Sequence, residues 1–157
     1  SHPERLMSLA LCDTAAVVPD EAQPIWQERI DATRRYGMAA GVDETMQRWF
    51  TRSYLAKSPP AVEKIRAQFL NTPAEGFIGC SEAIRRLNYM DRLSSIQLPA
   101  LIIVGADDPG TPVSASEEMH ARIPALELVI IPSAAHLSNI EQPDAFNQAL
   151  VSFLDRQ

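Results

Sequence analysis

The sequence predicts an α/β fold: parallel strands joined by crossover helices, with a long helical segment inserted after the first strand. Three observations carry that expectation. Residues 98–105 (Leu-Pro-Ala-Leu-Ile-Ile-Val-Gly) form a continuous apolar run rich in branched side chains, as a strand buried on both faces of a parallel sheet requires. A second such run follows at 126–131, and the interval between them, 113–123, has the length of a crossover helix. Between the first apolar run and these two, the hydrophobic period changes from strand-like to helical.

The elements follow in order. Residues 6–12 (Leu-Met-Ser-Leu-Ala-Leu-Cys) read as a buried strand ending in a polar loop at Asp13-Thr14. From Pro24 to about Leu93 the apolar spacing is helical, with Val42, Met46, Trp49 and Phe50 on one stripe and Val62, Ile65 and Phe69 on another. Pro59-Pro60, Pro73 and Gly76 are expected to divide this stretch into separate helices. Residues 143–154 close the pattern as an amphipathic helix, with Pro143 in its first turn and Phe146, Ala149, Leu150, Phe153 and Leu154 on one side. The chain therefore divides into a core strand with its flanks (1–23), a helical lid (24–95) and a second core part (96–157).

Composition narrows the class. With 46% hydrophobic and 22% charged residues, the 157-residue chain has the proportions of a folded domain, away from the disordered corner. A net charge of -6 argues against a nucleic-acid partner. The longest apolar stretch, 98–106, is broken by Pro99 and falls short of the roughly 20 residues a membrane-spanning helix needs. The first residues lack the layout of a signal peptide, so a cytoplasmic protein with neither nucleic-acid nor membrane partner is expected. Cys12 and Cys80 are too few for a disulfide framework, have no zinc-ligand spacing, and are expected to be buried or half-buried. Charge is unevenly spread: residues 25–95 hold eleven Lys and Arg against eight Asp and Glu. That stretch is either an attractor for a carboxylate-bearing ligand or an ordinary solvated surface.

Chemistry gathers at two strand ends. Gly105-Ala106-Asp107-Asp108-Pro109-Gly110 places an acidic pair in a turn after the first buried strand, and Pro132-Ser133-Ala134-Ala135-His136 places a histidine after the second. Loops at the carboxyl ends of parallel strands are where α/β folds carry function, and neighbouring strands lie about 5 Å apart, so the acid and the imidazole can meet. Such a pair fixes the tautomer of the ring and leaves its other nitrogen to take a proton from a nucleophile. Either aspartate could serve the turn alone. A magnesium-dependent phosphoacceptor site would need more acidic groups and a lysine at neighbouring strand ends, which offer Asp13 and His136 but no lysine.

Taken together, Gly-x-x-Asp, His136 followed by Glu141 and Pro143, and the terminal amphipathic helix resemble the carboxyl-terminal half of the α/β-hydrolase family. Ala134-Ala135 stand where that family usually has Gly before the histidine. Further segments, among them His2-Pro3-Glu4-Arg5-Leu6, Leu11-Cys12-Asp13-Thr14-Ala15, Arg48-Trp49-Phe50-Thr51, Glu75-Gly76-Phe77 and His136-Leu137-Ser138-Asn139-Ile140-Glu141, resemble the family's 3-oxoadipate enol-lactonase branch. The resemblance implies that Asp108 is the catalytic acid and His136 the base, 28 residues apart, with Asp107 serving the turn. It implies lactone hydrolysis to 3-oxoadipate without metal or organic cofactor, on a small anionic lactone or ester. Trp26 and Trp49 would line the pocket and Arg48 or Arg52 would meet the substrate carboxylate; both tryptophans could equally be packing residues of the lid.

The family also needs a serine on a Gly-x-Ser-x-Gly elbow, ahead of the acid and histidine in chain order. No such motif occurs here, Gly79-Cys80-Ser81 lacking the closing Gly. The chain is thus expected to be the carboxyl-terminal half of a serine hydrolase, inactive alone, partnered by an amino-terminal half carrying the nucleophile, and poorly stable or self-associating because its first strand presents an unpaired edge. The alternatives are another lidded hydrolase, such as an esterase or carbon-carbon bond hydrolase, and a non-catalytic interaction protein on the same fold.

Overall fold

The computed structural model describes residues 2–57 and 59–157. The chain divides into two compact units: Ser1–Ala16, Arg48–Thr51 and Tyr89–Gln157 form one, Val17–Gln47 and Arg52–Asn88 the other. Where the chain leaves the first unit and returns, Tyr89 N–H donates to Ala16 O at 2.8 Å.

The first unit is built on a parallel sheet of three strands, β1 (Leu9–Cys12), β2 (Ala100–Gly105) and β3 (Leu126–Ile131), in that spatial order. Leu9 pairs with Ala100 and Ala100 with Leu126, so the strands end almost level. Alternation along β2 separates two cores. Ala100, Ile102 and Val104 pack with Leu93, Met119 and Ile123 on one face, and Leu101 and Ile103 pack with Ile131, Phe146 and Phe153 on the other. Helix α6 (Val113–His120) supplies Met119 to the first face, and α8 (Pro143–Leu154) supplies Phe146 and Phe153 to the second. All six residues of β2 are buried, as its uninterrupted apolar run predicts.

β3 departs from that prediction. It is an edge strand, so Glu127 lies exposed in a pair with Arg156 at 2.6 Å, and Ile130 keeps 43% of its surface. β1 is shorter than the apolar run 6–12: Leu6 and Met7 are exposed, and pairing with β2 begins only at Leu9. Cys12 and Cys80 are both free and exposed, contrary to expectation. Cys12 falls on the open side of an edge strand, and Cys80 on the outer face of its helix. In α8 the expected stripe holds through Phe153, while Leu154 in the last turn is half exposed.

The second unit is helical: α1 (Gln23–Tyr36), most of α2 (Val42–Trp49), α3 (Arg52–Ala56), α4 (Pro60–Leu70) and α5 (Ala74–Ile84). Pro24 lies in the first turn of α1, Pro60 opens α4, and Pro73 caps α5, each where a missing N–H costs nothing. Gly76 does not break the chain; it sits inside α5 with open space around it. α1 packs on α5, and the contact is tied by Arg85, whose guanidinium donates to Gln23 at 3.1 Å and to Gln27 at 2.6 Å. Ile30, Met38, Val42, Met46, Val62, Phe69 and Ile78 are buried. Among the described residues no helix is long and apolar enough to cross a membrane.

Candidate active site

The level strand ends bring the acidic turn and the histidine loop together. Asp108 follows β2 with its side chain fully buried, and its Oδ2 lies 2.8 Å from Nδ1 of His136, whose side chain is 30% exposed. The remaining lone pairs of Asp108 are occupied. Oδ1 accepts the Gly110 and Thr111 N–H groups at 2.8 and 3.1 Å, and Oδ2 also accepts the Thr111 hydroxyl at 2.6 Å. Burial pushes this carboxyl up, but hydrogen bonds from His136 and Thr111 outweigh it and hold it below the ordinary carboxylate value. An ionised acceptor at Nδ1 places the ring proton there and leaves Nε2 free to accept one. Asp107 is exposed and its N–H donates to Ala134 O at 2.9 Å, so of the acidic pair it is Asp108 that faces the ring.

Two features shape the loop that carries His136. Ser133, just past β3, takes the left-handed conformation at φ 54°, uncommon for a non-glycine residue. Gly105 ends β2 so close to this loop that a Cβ there would strike the backbone oxygens of Ala134 and Ala135. Glycine is the only residue the crossing admits.

Two further carboxylates grip the same loop. Asp13, left-handed at φ 44°, accepts the Gly105 N–H at 2.8 Å, the Ser138 N–H at 3.3 Å and the Ser138 hydroxyl at 2.6 Å. Burial raises its carboxyl above the ordinary value, the bonds from Ser138 and Gly105 offsetting part of the rise. Glu141, in the short helix α7 (Ser138–Glu141), is buried; it accepts the Ala135 N–H at 2.9 Å, the Thr51 N–H at 3.0 Å and the Thr51 hydroxyl at 2.6 Å.

Of the residues singled out in the sequence, Trp49 joins the pair: its ring stacks on His136 with centroids 6.3 Å apart and planes 26° off parallel. Its carbonyl accepts the Leu137 N–H at 3.0 Å. Arg48 runs beside the acidic turn, its Cδ 3.8 Å from where a Gly110 Cβ would be. Trp26 belongs to the helical unit, with the Arg29 guanidinium 5.2 Å over its ring, and Arg52 begins α3 of that unit. Sequence reasoning did not single out Asp13, Thr51, Thr111 or Glu141 as site residues, although Asp13 marked a strand end and Glu141 followed the histidine at fixed spacing.

The profile of the alpha/beta hydrolase fold matches residues 1–143. The chain belongs to the α/β-hydrolase family. Among its hydrolase relatives, 3-oxoadipate enol-lactonase 2 of Acinetobacter baylyi is 35% identical over 154 residues, covering 98% of this chain and 57% of that protein. The crystal structure of the enol-lactonase from Burkholderia xenovorans LB400 superposes with a TM-score of 0.92 at 34% identity, covering 98% of this chain and 58% of that one. A malate-bound thermophilic esterase from Thermogutta terrifontis gives a TM-score of 0.89 at 30% identity, covering 99% and 58%. This α/β-hydrolase chain thus spans a little over half the length of the relatives it matches.

Proposed function

We propose that this chain supplies the acid and the base of a serine hydrolase that opens an enol-lactone to 3-oxoadipate. The nucleophile, in this reading, is a serine on a Gly-x-Ser-x-Gly turn of an amino-terminal segment, since none of the 157 residues lies in such a motif. The observation that carries the proposal is the 2.8 Å contact of buried Asp108 with His136 Nδ1, which points the unoccupied Nε2 away from the acid. The 35% identity to an enol-lactonase supports the choice of substrate.

In the proposed reaction His136 Nε2 takes the serine proton as its oxygen adds to the lactone carbonyl. The ring C–O bond then breaks, and the imidazolium returns the proton to the departing enol oxygen. Water, deprotonated by the same nitrogen, adds to the acyl carbonyl; the bond to the serine oxygen breaks, the imidazolium returns the proton to that oxygen, and the enol settles as the ketone. Asp108 stays ionised throughout and stabilises the imidazolium. Trp49 and Arg48 are proposed to line the substrate pocket, with Arg48 offering a charge-assisted bond to the substrate carboxylate.

The test is turnover of the enol-lactone by the chain joined to a segment bearing the serine turn, and by the chain alone. The chain alone is expected to be inactive. In the joined protein His136→Ala should lower kcat by about 10⁴-fold or more, and near wild-type turnover by that variant sinks the assignment. The likeness to an esterase supports a second reading, in which the same pair hydrolyses acyclic esters; a panel of lactones and simple esters separates the two.

A further inference from the structure

Glu141 has no role in the reaction described above, yet it is a buried carboxylate that gathers donors from two distant stretches of chain. Burying a carboxylate is costly unless its lone pairs are filled. Here they are filled by two backbone N–H groups and one hydroxyl, an all-donor surrounding that suits an acceptor-only group. The donors come from the residue just before His136 and from Thr51, two residues after the tryptophan stacked on the His136 ring.

We propose that Glu141 is a positioning residue that sets the plate of Trp49 over His136. One carboxylate oxygen accepts from both Thr51 and Ala135, so the Trp49–Thr51 segment and the histidine loop share a single anchor. The Leu137 N–H donates to Trp49 O at 3.0 Å, so a backbone bond joins the same two segments beside the carboxylate. Glu141 thereby fixes the spacing of the two segments that carry the indole and the imidazole. The consequence for activity rests on the hydrolase reading; the geometric consequence does not.

The test reads both. The ring current of an indole displaces the resonances of a ring stacked beside it, so His136 should stand apart from His2 and His120, which are exposed, in the spectrum of the protein with labelled histidines. Glu141→Ala should move the His136 resonances toward those of the other two. Glu141→Gln should hold them, because its oxygen can keep the two N–H bonds while its NH2 donates to the Thr51 hydroxyl oxygen. Thr51→Val, which removes only the 2.6 Å hydroxyl bond, gives a smaller displacement and answers the question should the alanine variant not fold. In the joined enzyme, Glu141→Ala should lower kcat by up to about 100-fold, as misplacement of a reacting group by about 1 Å does, with Glu141→Gln restoring most of it. Unmoved His136 resonances in Glu141→Ala and Thr51→Val, or a Glu141→Gln variant displaced as far as the alanine one, overturn the proposal. Absence of turnover in every variant would count against the hydrolase reading and leave the spectral result to decide this one.

Discussion

Gly105→Ala perturbs the site from behind, without touching a charged group. A Cβ at this position would lie 2.5 Å from Ala134 O. Ala135 O would lie closer still, and an ordinary carbon–oxygen contact is about 3.4 Å, so the histidine loop must retreat by at least about 0.9 Å. The Asp108–His136 distance of 2.8 Å tolerates no such retreat, since a bond lengthened by that amount lies beyond hydrogen-bonding range. Overpacking a closely fitted interior costs about 1–3 kcal/mol. With a urea dependence of about 2 kcal/mol per molar, the unfolding midpoint should fall by about 0.5–1.5 M. The His136 resonances should shift in the same protein. Gly76→Ala is the matched control: nothing lies within 4 Å of its Cβ, and it sits within α5, so alanine should stabilise by about 0.5–1 kcal/mol. Equal midpoints for wild type and Gly105→Ala, with unmoved His136 resonances, would refute the reasoning.

Asp13→Asn keeps the side-chain shape and a left-handed backbone that asparagine accepts, yet either amide orientation turns NH2 onto the N–H of Gly105 or of Ser138. A loss of about 1–3 kcal/mol is expected in urea unfolding; an unchanged midpoint counts against the clamp. The two aspartates should also bend the pH dependence of stability in opposite senses. Asp108, lowered in the fold from 3.8, contributes stability above 3.8 that fades as pH falls through that value toward its folded one. Asp13, raised from 3.8, favours the fold as it takes up a proton while pH falls through its folded value toward 3.8. Urea titrations across the acid range should therefore find the acid loss flattened in Asp108→Asn and steepened at its onset in Asp13→Asn; slopes identical to wild type would contradict both. Finally, Asp108→Asn in the joined enzyme should cost about 10⁴ in kcat, because an amide NH2 facing Nδ1 selects the wrong tautomer; turnover within tenfold of wild type would show that the acid is elsewhere.

What the sequence disclosed and what it withheld follow from the range of the interactions involved. β2, α6 and α8 were legible because burial on one or both faces imprints a period on consecutive residues, and prolines were legible because a missing N–H is tolerated at few places. The Asp108–His136 pair was legible because both residues follow adjacent strand ends. The limits of β1 were not, since an edge strand ends where its neighbour stops pairing, a fact of the partner and not of the run 6–12 itself. The exposure of Cys12, the last residue of that strand, was hidden for the same reason. Thr51 and Glu141 lie 90 residues apart and Asp13 and Ser138 lie 125 apart, and no local period records such pairings.

The carboxylates around the histidine loop show how the fold separates an acid that orients the ring from acids that hold the loop. Asp13, Asp108 and Glu141 all accept hydrogen bonds within a few residues of His136, so proximity does not distinguish them. Donor accounting does. Asp13 is engaged by Gly105 and Ser138, and Glu141 by Thr51 and Ala135, every bond fixing backbone or a hydroxyl. Asp108 alone among the three directs a lone pair at an imidazole nitrogen, with its other contacts coming from its own turn. The left-handed residues fit the same division. Asp13 and Ser133 each carry about 1–3 kcal/mol of backbone strain, and both stand at strand ends flanking the loop, where the surrounding bonds must hold the chain against it. Removing a holding acid should therefore loosen the loop and lower stability and turnover together. Replacing Asp108 by asparagine should instead lower kcat of the joined enzyme by about 10⁴ while the loop keeps both of its anchors.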